Sequence, residues 1–275
     1  MKGPIKSAWA LLLIISATMF AGGAAVFAQN LQPPFRLYAL PQGSDPGIPI
    51  ATLFLGKAAN QADNTRYAGD ALCAGMRDHV IPVIVRVLAR PGPLSAFQDV
   101  GTGFFVSAGG RVAMCEHELG DHGGGLRIVT LDNRMYTANV IKHDPKHDLC
   151  ILQVRHPKGE SFPAAALGSS QNLTRGQNLI AFGYPLGWRR LFMSPGEYRQ
   201  SQPAGPTADC NGRVLTYMDV TRPMLGLRMH SEFGNSGSPV FDLNEHVVGM
   251  VQSIDTRNHD STSATPVEDL LDALK

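Results

Sequence analysis

The segment Gly234–Pro239 reads Gly-Asn-Ser-Gly-Ser-Pro, with one serine framed by two glycines and a proline close behind. A serine hydroxyl is a weak nucleophile at neutral pH and needs an adjacent base. Histidine suits that task because its ordinary pKa lies near working pH. The imidazole in turn needs a carboxylate on its other nitrogen, to fix the tautomer and stabilise the imidazolium. Two further segments supply these parts. His117 closes GTGFFVSAGGRVAMCEH, and Asp148 opens the apolar run DLCILQV. His117, Asp148 and Ser236 are therefore the candidate catalytic residues, in the chain order His, Asp, Ser.

The elements that must position them are short strands. From Val80 the texture becomes β-branched and alternating, and VIPVIVRVLAR reads as a strand. GTGFFVSAGGRVAMCEH reads as strand, Gly-Gly turn, strand. LRIVTL, MYTANVIKH, DLCILQV, NLIAFGY, RVLTYMDV, LGLRMH, PVFDL and HVVGMVQS are further strands between Gly, Asp, Asn or Pro. The tail PVEDLLDALK is the one clear helix. Pro266 falls in its first turn, and Val267, Leu270, Leu271 and Leu274 share a face. The pattern predicts an all-β protein, and its two strand clusters, which part near residue 170, predict two barrels. The boundaries are 80–170 for the first, 171–275 for the second with its helix, and 29–79 for a poorly patterned N-terminal extension.

Taken in order, GTGFFVSAGGRVAMCEH, the D-x-x-x-D-L of Asp144–Leu149, LGSSQNLTRGQNLIAFGYPLG and GNSGSP resemble the trypsin-like serine proteases, most closely their HtrA-type bacterial branch. The resemblance spans roughly Val80 to Lys275. It implies the chymotrypsin fold of two six-stranded antiparallel β-barrels. His117 would be the general base, Asp148 its orienting carboxylate and Ser236 the nucleophile, with an oxyanion hole of the Gly234 and Ser236 N–H groups. Gly234 would let the chain turn its N–H toward the developing charge, and Gly237 would let the chain pass close behind Ser236. Substrate would lie as an added strand along Gln252, Ser253 and Ile254, with Ile254 narrowing the pocket in favour of small apolar residues. Several departures matter. Asn235 stands where trypsin has the aspartate that pairs with a new N-terminus, so activity without that cleavage is expected. Val251 stands where glutamyl endopeptidases carry a histidine. The chain ends at the helix where the HtrA type continues into PDZ modules. Glu116 and Glu118 flank His117, and carboxylates so near could misplace the base or raise its pKa. They keep open a rival reading, a catalytically silent binding or chaperone-like module. An esterase is disfavoured because GNSGSP is not the G-x-S-x-G elbow.

Composition bounds the setting. A basic start, the apolar run AWALLLIISATMF and a small-residue end make residues 1–28 a signal peptide cleaved before Gln29, with an uncleaved anchor as the alternative. Loss of Lys2 and Lys6 from the 24 basic residues leaves 22 against 23 acidic ones, a net charge of −1. Such a balance has no footprint for nucleic acid or an anionic membrane. The expectation is an exported protein, periplasmic or secreted, acting on protein or peptide substrates and not membrane-associated once cleaved. Its four cysteines, Cys73, Cys115, Cys150 and Cys210, allow three pairings. The resemblance favours Cys73–Cys210 as a disulfide and leaves Cys115 and Cys150 as buried thiols or a second bridge. No cofactor or metal is expected. HELGDH has its histidines five apart with Gly120 between them, Pro145 separates His143 from His147, and no C-x-x-C pairs occur.

Overall fold

The computed structural model describes residues 38–39, 76–120, 123–208 and 213–275. The signal-peptide and Cys73–Cys210 expectations lie outside these residues, as does most of the N-terminal extension. One fragment of that extension, β1 (Tyr38–Ala39), pairs antiparallel with Phe192 and Met193.

The first barrel contains β2 (Ile84–Arg90), β3 (Gln98–Phe105), β4 (Arg111–Cys115), β5 (Gly125–Val129), β6 (Met135–Asp144) and β7 (Leu149–Val154). They close in the order β2-β3-β4-β7-β6-β5, every pair antiparallel. Closure removes the exposed edges that an open sheet would leave. The second half contains β8 (Ala166–Leu167), β9 (Asn178–Gly183), β10 (Phe192–Pro203), β11 (Pro223–Met229), β12 (Pro239–Phe241), β13 (His246–Asp255) and β14 (Asn258–Pro266). Six of these follow the order β10-β11-β14-β13-β12-β9, and pairing of β9 with β10 completes the ring. The short β8 adds to β13 in parallel. Helix α1 (Val267–Ala273) ends the chain. The all-β architecture of two six-stranded antiparallel barrels with a C-terminal helix is as expected.

Two cores hold this together. Phe104, Val112, Met114, Ile128, Ile151 and Leu152 fill the first barrel, and their cluster runs without a break into the seam between barrels. Leu179, Ala181, Leu227, Met229, Val240 and Val251 form a separate core in the second. β9 shows how one strand serves both. Leu179 and Ala181 face the second barrel's interior while Ile180 and Phe182 belong to the seam, which is why NLIAF reads as an unbroken apolar run. Val267, Leu270 and Ala273 dock α1 on the same seam.

Several local expectations are corrected. Val80–Val83 is not strand but helical turn, running from Met76–Val80 into Ile81–Val83, with Pro82 at the start of the latter. RVLTYMDV is not a strand. Val214 makes a single bridge to Ala208, and the buried residues are Leu215 and Met218, three apart rather than alternating. Pro266 ends β14 rather than lying inside the helix, and Leu271 faces outward at 37% exposure. β10 and β14 had no strand signature. The first is broken by Pro195–Gly196, and the second is a polar run, NHDSTSATP.

Candidate active site

The register of β4 against β7 brings the first two residues together. Cys115 pairs with Leu149, and the Glu116 N–H donates to the Asp148 carbonyl at 3.2 Å. Residues just beyond one strand and just before the other must then meet. Asp148 sits in a left-handed conformation, φ +55°, at the end of a turn in which its N–H donates to the Pro145 carbonyl. Aspartate tolerates that region better than most residues. Its carboxylate is fully buried and grips His117 twice. Oδ1 accepts the His117 backbone N–H at 2.9 Å, and Oδ2 lies 2.7 Å from ring Nδ1. The grip fixes both the backbone and the ring of His117.

Ser236 lies in the link between β11 and β12, built from two consecutive tight turns. The Asn235 N–H donates to the Glu232 carbonyl at 3.0 Å, and the Ser238 N–H donates to the Asn235 carbonyl at 2.9 Å. The third residue of each turn is glycine with positive φ, Gly234 at +88° and Gly237 at +85°. Type II turns require that sign at that position. A Cβ on Gly237 would overlap the Thr102 carbonyl oxygen, and one on Gly234 would come within 2.9 Å of the Tyr184 carbonyl oxygen. Among the described residues, no hydrogen bond engages the Gly234 or Ser236 N–H.

Thr102, on β3, joins the halves, and the sequence reading did not single it out. Its N–H donates to the Ser236 carbonyl at 3.1 Å, its hydroxyl donates to the Gly234 carbonyl at 2.9 Å, and that hydroxyl also accepts the Tyr184 N–H at 2.9 Å. The residue is completely buried. The only signal for it was its place in the GTGFF segment.

A cleft of about 830 Å³ between the barrels is lined by His117 and Glu118 from the first and by Ser236, Gln252, Ser253 and Ile254 from the second. β12 accompanies β13 only as far as Val251, whose N–H and carbonyl bond to Ser238 and Gly237. Beyond that point β13 keeps β14 on one side and borders the cleft at Gln252, Ser253 and Ile254.

Two features depart from a poised hydroxyl–imidazole pair. The Ser236 hydroxyl donates to the Gln252 carbonyl at 3.3 Å. His117 Nε2 lies 3.4 Å from Glu118 Oε1. Burial draws the His117 pKa down, but the opposing charges and hydrogen bonds of Asp148 and Glu118 outweigh it and hold the pKa well above the ordinary histidine value. Glu116 is engaged elsewhere, with Oε1 2.7 Å from His143 Nε2. Cys115, His117 and Asp148 cluster closely enough to suggest metal ligands. Burial, reinforced by the Asp148 and Glu118 charges, pushes the Cys115 thiol pKa well up, and its S–H donates to the Val251 carbonyl at 3.2 Å. Cys115 and Cys150 are both buried free thiols.

Two six-stranded antiparallel β-barrels, with a histidine and a serine lining one cleft, define a protein of the chymotrypsin-like fold. Residues 101–250 match the trypsin-like peptidase domain, and the chain belongs to that family. It is 32% identical over 169 residues to the "Probable periplasmic serine endoprotease DegP-like" of Hahella chejuensis, covering 62% of this chain and 32% of the relative. It is 26% identical over 253 residues to the protein of the same name from Pseudomonas fluorescens, covering 89% and 48%. The chain thus spans from about a third to about half the length of these curated relatives. Among solved structures, the active form of the Rv3671c protease from M. tuberculosis superposes with a TM-score of 0.60 at 22% identity, covering 89% of this chain and 92% of that one. The HtrA-type protease AlgW with a bound decapeptide gives 0.58 at 17%, covering 72% and 65%. At these identities the structural likeness speaks to the fold.

Proposed function

We propose that the protein is an exported serine endopeptidase working through His117, Asp148 and Ser236. The observation that carries this reading is the double grip of Asp148 on His117. It faces, across one cleft, a serine whose turn leaves two backbone N–H groups unengaged among the described residues. Ser236 Oγ attacks the substrate carbonyl carbon while His117 Nε2 takes its proton, and Asp148 stabilises the imidazolium. The N–H groups of Gly234 and Ser236 receive the oxyanion. The imidazolium returns the proton to the leaving amine, and water, activated by the same imidazole, releases the acyl group. The substrate backbone extends β13 along Gln252, Ser253 and Ile254, and Ile254 limits the pocket to small side chains.

For this cycle Ser236 must rotate away from Gln252, and Glu118 must release Nε2. No new N-terminus is required. Asn235 is buried, and its amide donates to the Ser231 hydroxyl at 3.2 Å. Residues 1–28 serve as the export signal and deliver the protein to the periplasm or beyond, in keeping with the names of its relatives.

A second reading, a silent binding module of the same fold, draws on the Glu118–His117 contact and on the orientation of the Ser236 hydroxyl. Labelling with a fluorophosphonate, followed by peptide mapping and casein hydrolysis, separates the two. The protease reading expects one adduct, on Ser236, absent in His117→Ala, with hydrolysis lost in Ser236→Ala. Folded protein that takes no label and cleaves nothing makes the silent module the better description.

A further inference from the structure

A second cluster of chemistry-bearing side chains lies where β11 meets β14. Arg228 pairs with Ser261 in that ladder, and the Ser231 N–H donates to the His259 carbonyl at 2.9 Å. His230 and His259 therefore face each other across the strands, with ring centroids 6.0 Å apart. Glu232 reaches between them. Its Oε1 lies 2.8 Å from His259 Nδ1 and 3.2 Å from His230 Nε2. The remaining nitrogen of His230, Nδ1, lies 2.9 Å from Asp260 Oδ1. The His230 side chain is 3% exposed, Glu232 16% and His259 35%, so the group is walled on one side and open on the other.

We propose that His230, Glu232 and His259 bind a divalent transition-metal ion of the zinc type, with Asp260 orienting His230. The three ligand atoms lie within 4.8 Å of one another. Ligands on a tetrahedral zinc stand roughly 3.3 Å apart, from metal–ligand lengths of about 2.0–2.2 Å, so side-chain adjustments close the site. Two imidazoles and one carboxylate leave a fourth position for water or another ligand on the open side. A carboxylate behind a ligating histidine fixes its tautomer and raises its basicity, which is the relation of Asp260 to His230. Neither histidine belongs to a metal motif along the chain; strand pairing alone makes them neighbours. The bound ion would stand at the root of the turn that carries Gly234 and Ser236, because the Glu232 carbonyl accepts the Asn235 N–H.

The test is titration of Co²⁺ into the full chain carrying Ser236→Ala, read by visible absorption, with Zn²⁺ as competitor. This readout is independent of proteolysis, so it stands or falls apart from the protease reading. The expected result is a one-equivalent band displaced by Zn²⁺. His259→Ala and the isosteric Glu232→Gln should each weaken it at least about 10-fold, and Asp260→Asn about 10- to 100-fold, with circular dichroism unchanged. Should His259→Ala fail to fold, Glu232→Gln carries the test. Absence of a stoichiometric band, or a band indifferent to Glu232→Gln and Asp260→Asn, overturns the site and leaves an ion-pair network.

Discussion

His117 and Glu118 are neighbours in the chain and again at the imidazole, where Nε2 lies 3.4 Å from Glu118 Oε1. A carboxylate thus occupies the side of the ring from which a base would reach Ser236. Glu118 also packs over Gly101, where an added Cβ would lie 3.2 Å from its Cγ.

This contact has a pH signature. Asp148 and Glu118 hold the His117 pKa up, so the ring stays protonated, and useless as a base, to higher pH than an ordinary histidine. Activity should therefore rise with pH along a limb displaced above the usual histidine range. Glu118→Gln removes one of the charges raising the pKa and should move that limb to lower pH. The limb of kcat/KM against pH is the measurement. Identical limbs in both proteins would mean that Glu118 does not control the base.

Asp148 combines a chemical and a backbone role, and two substitutions separate them. Asparagine accepts the left-handed φ and keeps one acceptor for the His117 N–H, so Asp148→Asn should fold while losing kcat by about 10⁴-fold. Asp148→Ala also strands that part-buried N–H and strains the backbone. It should lose a further ~1–3 kcal/mol of stability relative to asparagine. Equal melting temperatures for the two variants would contradict the backbone role.

Gly237 and Gly205 make a matched pair. Both have positive φ, +85° and +69°, yet a Cβ on Gly205 meets nothing within 4 Å while one on Gly237 would strike the Thr102 carbonyl. Gly205→Ala should cost about 1 kcal/mol, the conformational term alone. Gly237→Ala should cost several times that, because the turn must pull away from β3. Thermal unfolding of the two variants reads the difference directly.

Glu268 ties α1 to the segment between the barrels. Oε1 accepts from the Ser169 hydroxyl and the Ser170 N–H, and Oε2 from the Ser170 hydroxyl, at 2.6–2.9 Å. Burial alone would raise its pKa, but these donors outweigh burial and lower it. A carboxylate with a depressed folded-state pKa stabilises the fold above its unfolded-state value and loses that contribution as pH falls through the folded value. The stability difference between wild type and Glu268→Gln should therefore be largest near neutrality and shrink below about pH 4. Denaturant unfolding at pH 7 and pH 3.5 checks it, and a difference that grows toward acid would contradict the sign.

Composition, period-two runs and turn residues determined the all-β class, the β3–β4 hairpin and the C-terminal helix, because each depends on residues close in the chain. The candidate residues His117, Asp148 and Ser236 could be singled out for a similar reason, since each sits in a short segment that resembles a family motif. The glycines around Ser236 were readable because positive φ is a local demand. What lay beyond the sequence arises between distant segments. β10 and β14 take their strand form from partners rather than from their own polar or interrupted residues. Thr102 became a pin only when β3 met the Gly234–Ser236 turn. Glu118 met Nε2, the Ser236 hydroxyl turned to Gln252, and His230 came to face His259 through register and docking. Pairing of that kind depends on which strand lies beside which, and spacing along the chain does not encode it.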